Sequence, residues 1–227
     1  IAISQQTKQD IIDFYKIKPE KIKVIYQSCH KNFRKKFSLN MINSVKNKFN
    51  LPENFILNVG TIETRKNLIS VINAINITKI DIPIVVIGKP TQYMNFLKIQ
   101  MKKIKFDISR IIFLENISIE ELPIIYRLSS LFVYPSLFEG FGIPILEALN
   151  CEIPVISSKG SCFKEVGGEY SKYIDPQNSE EFANQIEVCL TDDKLRKTMI
   201  KEGLIHAEKF KPEVLSKQLI DVYNSLL

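Results

Sequence analysis

The chain has 227 residues, 45% of them hydrophobic and 25% charged, with a formal net charge of +6, which describes a soluble globular protein of one or two domains. No apolar run approaches the roughly 20 residues that a membrane-crossing helix needs, and neither end carries a signal peptide or lipidation motif, so a cytoplasmic protein is expected. Two histidines and four distant cysteines, Cys29, Cys151, Cys162 and Cys189, match no zinc or redox spacing and read as reduced thiols.

The first 37 residues predict a short strand at "IAIS", a helix capped by Ser4 or Thr7 and running to about Tyr15, and a second strand at "KIKVIYQS". They lack a sheet to join. The chain also begins with Ile1, so this segment reads as the edge of a domain that is missing from a longer protein. "KNFRKKFSLN" (31–40) is the expected connector, which puts the domain proper at 38–227. Residues 1–50 hold 11 Lys or Arg against 3 acids, and the remainder holds 20 against 22. That amino-terminal excess suits a solvated lysine face, or an anionic membrane surface. No RNA-binding signature or aromatic interleaving accompanies it, so nucleic acid is not an expected partner.

Next come apolar runs of strand length: "FILNVG" (55–60), "IPIVVIG" (82–88), "RIIFLEN" (110–116), "LFVYPS" (131–136) and "IPVIS" (153–157). Their near-continuous Ile and Val suit strands covered on both faces. Helical spacing in "TRKNLISVINAINI", "SIEELPIIYRLSS" and "PILEALN" fills gaps between them, giving an α/β, Rossmann-like, doubly wound parallel sheet with ligands expected beyond the carboxyl ends of its strands. The tail predicts three helices: one with Ser179 as N-cap, one around 192–209, and one from Pro212 onward.

Chemistry concentrates in "SLFEGFGIPILEAL" (136–149). Gly140 and Gly142 shape a turn after a strand, and Pro144 suits the start of a helix beginning at about Ile143. The free amides of Gly142 and Ile143, with the positive end of the helix dipole, then form a phosphate site. Glu147 taken alone is a first-turn carboxylate favoured by that dipole. Beside a phosphate turn it can also accept two hydrogen bonds from a ribose diol, and Glu139 at the other end can hold a second polyol. In "NVGTIETRKN", Gly60 ends the first strand and Arg65-Lys66 opens the next helix against its dipole, a local conflict that hints at function.

"EGFGIPILE" resembles the Glu, seven residues, Glu signature of the retaining glycosyltransferases of family 4, which have the two-domain GT-B fold. "FILNVGTIETRKNL", "IVVIGKP", "LFVYPSLFEGFGIPILEALNCEIPVISS" and "KEVGGEYSKYIDPQNSEEFA" are similar to that family in order, from about residue 50 to the end. The opening "IAISQQTKQDIIDFYKIKPEKIKVIY" is similar to the close of the family's amino-terminal domain. The resemblance implies the donor-binding, carboxyl-terminal half of a sugar-nucleotide-dependent transferase, in which Arg65 and Lys66 hold the diphosphate and, with Glu139, act catalytically. Glu147 would hold the ribose and Glu139 the hydroxyls of the transferred sugar, with Gly140, Phe141, Gly142 and Ile143 touching sugar and phosphate. Asn116 and Ile117, in the loop that begins at Glu115, would edge the base, and Gly60-Thr61 would approach the phosphates. No metal or other cofactor is implied. Expected partners are a nucleotide sugar, a glycan or lipid-linked acceptor in surface polysaccharide or lipopolysaccharide synthesis, the missing amino-terminal domain, and a peripheral contact with the inner membrane face through the basic first 50 residues. "VIYQSCHKNF" resembles mannosyltransferase-like members and points to GDP-mannose.

The departures are specific. Thr61 stands where many members carry a second arginine. Glu152 replaces a glycine usual before "PVI", so a different turn is expected there. The missing domain would supply acceptor contacts and often a histidine near the reacting carbon. Three other readings remain: a nucleotide-binding module without turnover, a sugar-nucleotide epimerase of similar fold, and an NAD-linked oxidoreductase. The last is disfavoured because "NVGTIETRKN" has one glycine where G-x-G-x-x-G has three.

Overall fold

The computed structural model describes residues 1–226. Among them, six strands form one parallel sheet: β1 (Ile56–Val59), β2 (Ile84–Ile87), β3 (Ile111–Leu114), β4 (Leu131–Tyr134), β5 (Val155–Ser158) and β6 (Lys172–Ile174), in the order β3-β2-β1-β4-β5-β6. The direction of winding reverses between β1 and β4, where register pairs Ile56 with Leu131. At such a switch point the loops leaving two adjacent strands diverge to opposite faces and open a crevice.

Helices cover both faces. α3 (Leu68–Ile77), α4 (Tyr93–Lys103) and α8 (Ser179–Thr191) bury Val71, Ile72, Leu97 and Phe182 against one side; α5 (Leu122–Leu128) and α6 (Ile143–Asn150) bury Ile125, Tyr126, Ile145 and Leu149 against the other. Double coverage explains the unbroken apolar strands, with β2 and β4 buried throughout. The five expected strands and the helices between them are present. β6, with the three residues Lys-Tyr-Ile, is too short and polar to register as an apolar run. α2 (Leu39–Lys48), α4 and α7 (Phe163–Gly167) were also not anticipated; α2 buries only Val45, and α4 only Leu97 and Met101.

The amino-terminal expectation changes. The two strands reduce to a single parallel bridge between Ala2 and Val24, while α1 (Gln5–Tyr15) forms with Ser4 as its N-cap. The presumed connector is partly core: Lys31–Arg34 is a turn of 3-10 helix whose Phe33 is fully buried, and the rest runs into α2. In the tail, α9 (Asp193–Ala207) and α10 (Pro212–Asn224) follow α8, but the N-cap of α8 is Asn178, whose side chain accepts from the Glu181 amide; Ser179 is the first helical residue. A carbonyl one position earlier reaches the free amide, so the cap shifts by one residue.

Glu152 does not alter its turn. It takes the left-handed conformation (φ 62°) that glycine would adopt. Its amide donates to Leu149 and that of Ile153 to Ala148, the paired bonds of a Schellman ending to α6.

Candidate functional site

Two loops leave the sheet at the switch point and bind each other. After β1, Gly60 donates to the Ile87 carbonyl, and a side chain at Gly88 would place Cβ 1.9 Å from the Gly60 oxygen, so only glycine lets the ends of β1 and β2 close there. Arg65 and Lys66 do not open α3, as expected from sequence. They lie in a 3-10 turn, Thr64–Lys66, and α3 begins only after Asn67, which is left-handed. That turn aims both cations at the loop after β4. The Leu137 amide donates to the Arg65 carbonyl at 2.9 Å, and the Ser136 hydroxyl lies 3.1 Å from that carbonyl.

Glu139 is where the cations meet. Its Oε1 lies 2.6 Å from Lys66 Nζ and 2.7 Å from Arg65 Nη1, and accepts from the hydroxyls of Ser136 at 2.7 Å and Tyr134 at 3.0 Å. Lys66 also donates to the Tyr134 hydroxyl at 2.6 Å, and Arg65 to Glu63 at 2.7 Å. Burial alone raises the Glu139 carboxyl, but the bonds from Lys66, Ser136 and Arg65 together hold it below its ordinary value. Tyr134 and Ser136 were not singled out in the sequence, although both lie within the quoted strand end, Ser136 three residues before Glu139.

Beyond Glu139 the turn is pinned from several sides. Cys162 Sγ donates to the Phe141 carbonyl at 2.9 Å, Ser161 Oγ to the Glu139 carbonyl at 3.0 Å, and Thr7 Oγ1 to the Gly140 carbonyl at 3.2 Å. Phe141 is buried beside Tyr26 and Phe210. Gly142 caps α6 at φ 101°, a conformation open to glycine. Among the described residues, the amides of Gly142 and Ile143 have no backbone acceptor, leaving a helix end able to receive an anion, three residues along the chain from Glu139, on which Arg65 and Lys66 converge.

Glu147 is not a first-turn residue: α6 starts at Ile143 and carries no acid in its first turn. One turn further in, Glu147 is largely removed from solvent and accepts a 2.8 Å hydrogen bond from the buried Tyr126 hydroxyl. Burial pushes its carboxyl up to about 7, against the lowering effect of Tyr126. Dipole stabilisation is therefore a weak account of this residue, because a carboxylate placed for stability alone would be left in water.

Asn116, left-handed at φ 57°, and Ile117 lie across the sheet at the end of β3. With Glu115, Lys89 and Gly88 they line a cavity of about 380 Å³. Thr61 is exposed and brings no charge. Among the described residues no group of three His, Cys, Asp or Glu side chains converges as a metal site. A separate cavity of about 490 Å³, lined by Asn54, Ser130 and Arg196 among others, lies at the amino ends of the strands, away from these residues.

This arrangement combines a switch-point crevice, a helix end with free amides and a partly buried carboxylate. Residues 41–205 match the family described as "Glycosyl transferases group 1". The chain belongs to that family. Among curated relatives it is similar to "Serotype-specific mannosyltransferase WbdA" of Escherichia coli, with 30% identity over 216 residues covering 92% of this chain and 26% of the relative. It is also similar to "O-antigen chain mannosyltransferase B" of Escherichia coli, with 28% identity, covering the whole chain and 60% of the relative. The chain thus spans about a quarter to three fifths of the length of these relatives. In fold it is similar to a glycosyltransferase from Rickettsia africae (TM-score 0.89, 19% identity) and to Anabaena Alr3699/HepE in complex with UDP and glucose (TM-score 0.88, 23% identity). Each match covers 99% of this chain and 62% of the other. The group 1 glycosyltransferase chain accordingly has the Rossmann-like sheet of a GT-B protein.

Proposed function

We propose that this chain is the donor-binding part of a retaining hexosyltransferase that moves mannose from GDP-mannose to a glycan or lipid-linked acceptor in surface polysaccharide synthesis. Residues 1–37 would belong to the end of its amino-terminal domain and the linker. The observation that carries this reading is the convergence of Arg65, Lys66 and Glu139 at the switch point, beside the free amides of Gly142 and Ile143. Two cations and a helix end suit a diphosphate, and a carboxylate that already collects four donors suits the hydroxyls of a sugar. The mannosyltransferase names of the relatives support mannose. The Glu115 carboxylate at the mouth of the β3 cavity is able to accept from the N–H edge of guanine.

In this mechanism the bond between the sugar C1 and the diphosphate oxygen breaks and its electron pair stays on the diphosphate. Arg65 and Lys66 turn from Glu139 to that charge, with the dipole of α6 behind them. The acceptor hydroxyl attacks C1 from the side the diphosphate leaves, and its proton passes to the departing phosphate oxygen. Glu139, held by Tyr134 and Ser136, is then free to accept from the sugar. No covalent intermediate on Glu139 and no metal enters the scheme; a glycosyl-Glu139 adduct seen by mass spectrometry would overturn it.

Thermal melts of the chain with GDP, UDP or ADP at about 10 mM test the donor site. A dissociation constant of about 1 mM stabilises by about 1.4 kcal/mol, a rise of about 3 to 5 °C for a chain of this size. A shift with GDP that is absent in Glu147→Ala is expected. A shift with UDP alone would replace the assigned base. No shift with any nucleotide, in this chain or in the full-length protein that contains it, would remove the donor-site reading.

A further inference from the structure

We infer that the outer face of α4 is a membrane-docking surface for anionic phospholipid. Residues 82–106 contain five lysines and no acid, in a chain whose whole net charge is +6. Four of those lysines, Lys98, Lys102, Lys103 and Lys105, are exposed on or just beyond α4, and none forms a salt bridge among the described residues. In the basic first 50 residues, Lys46 pairs with Glu53 and Lys48 with Glu121, while the other nine cations form no salt bridge among the described residues. The amino-terminal excess is therefore partly neutralised within the fold.

The same face carries apolar side chains that the core does not use. The inward stripe of α4 is Leu97 and Met101. At helical spacing the opposite side presents Ile99, 65% exposed, beside Phe96, 44% exposed and stacked on Tyr93 at 5.3 Å. Lys98 and Lys102 flank this ridge on one side, and Lys103 continues it one turn beyond Ile99. An apolar ridge beside lysines suits the boundary between headgroups and acyl chains: the rings and branched chain enter it while the long lysine stems reach back to the phosphates. A nucleic acid would match the charge but leave Phe96 and Ile99 without a role.

Position gives the surface a use. Tyr93 and Phe96, at the start of α4, share a cavity of about 770 Å³ with Glu63, Asn67 and Leu137, next to the loops that hold Arg65 and Glu139. Docking there would lay the mouth of the crevice against the bilayer, within reach of a lipid-linked acceptor. That use rests on the transferase reading; the docking itself does not.

The test is co-sedimentation of the chain, and of the full-length protein that contains it, with vesicles of phosphatidylethanolamine mixed with phosphatidylglycerol, against phosphatidylcholine alone. Binding to the anionic vesicles only is expected, weakening with salt. It should fall at least about tenfold in a combined Lys98→Glu, Lys102→Glu, Lys103→Glu variant, and fall also in Phe96→Ser, Ile99→Ser. A combined Lys16→Glu, Lys18→Glu, Lys21→Glu control should bind as the parent does, and nucleotide-dependent melting should be unchanged in all variants. The inference is overturned if neither protein binds anionic vesicles, or if the full-length protein does not. It also fails if the control loses as much as the α4 charge variant, or if the apolar variant binds like the parent, which would mark a general polyanion surface. Loss of the nucleotide response in the unsubstituted chain would count against the transferase reading without touching this one.

Discussion

At the scale of single residues, Glu147 and Lys66 show how one site holds two opposite electrostatic solutions. Glu147 is partly buried with Tyr126 as its hydrogen-bond partner, and its carboxyl is raised to about 7. A raised acid binds protons in the folded state that the unfolded chain has already released. Its effect on stability is therefore absent below about pH 4.5, grows unfavourable as pH rises from there to about 7, and then levels off at a cost of about 3 kcal/mol. Glu147→Gln, which keeps an acceptor for Tyr126, is expected to melt like the parent near pH 4 and higher than it at pH 8. It should also lose its response to nucleotide, because an amide accepts only through one oxygen. A melting curve below the parent's at pH 8 would contradict this account. Lys66 is neutralised by Glu139 and shielded by Tyr134. Lys66→Ala in the full-length enzyme should lower kcat by about 100- to 1,000-fold, the usual cost of losing one preorganised charge donor; an unchanged kcat would remove it from the chemistry.

At the scale of elements, the end of α6 is a strained position that the protein retains. Glu152 occupies a left-handed site at φ 62° and its carboxylate lies 3.2 Å from Arg127. The backbone conformation costs a non-glycine residue about 1 kcal/mol, while a half-exposed pair with arginine returns less than that. Glu152→Gly is expected to stabilise by about 0.5 kcal/mol and raise Tm by about 1 to 2 °C, as read by denaturant and thermal unfolding. A loss of stability would show that the Arg127 pair outweighs the strain. The Rossmann strands and α3, α5 and α6 were legible from apolar periodicity because both faces of the sheet are covered. α2 and α4 were not, because each buries only one or two side chains and so leaves almost no periodic signal.

At the scale of the whole molecule, the segment before α2 reaches the site through the core. Phe33, fully buried, meets Tyr126 edge-on at 5.5 Å, and Tyr126 in turn holds Glu147. The Phe33 carbonyl also accepts from Arg127, and Arg34 donates to Asn150. Phe33→Ala should cost about 3 to 5 kcal/mol of stability, measured by urea unfolding, and also weaken the nucleotide-dependent rise in Tm, since Tyr126 loses its packing partner. A full nucleotide response in the variant would uncouple this segment from the site. Among the described residues, lysines without a salt bridge gather on α4 as well as in the amino-terminal segment to which the composition by halves had pointed. Sequence counting weighs every lysine equally, but the fold pairs some with acids distant in the chain and leaves others in water.

The sequence by itself determined the doubly wound sheet, through apolar runs that only two-sided burial explains, and the turn from Glu139 to Ile143, through glycines and a proline whose backbone limits are local. It also marked Arg65, Lys66, Glu139 and Glu147 as the residues of interest. Only the tertiary structure decided that Arg65 and Lys66 sit in a 3-10 turn facing Glu139, that Tyr134 and Ser136 complete that cluster, and that Glu147 lies partly buried in the second turn of α6 against Tyr126. Those facts depend on which strands become neighbours, and β1 and β4 are separated by more than seventy residues of chain. Periodicity reports which face of an element is covered; it carries no record of what covers it.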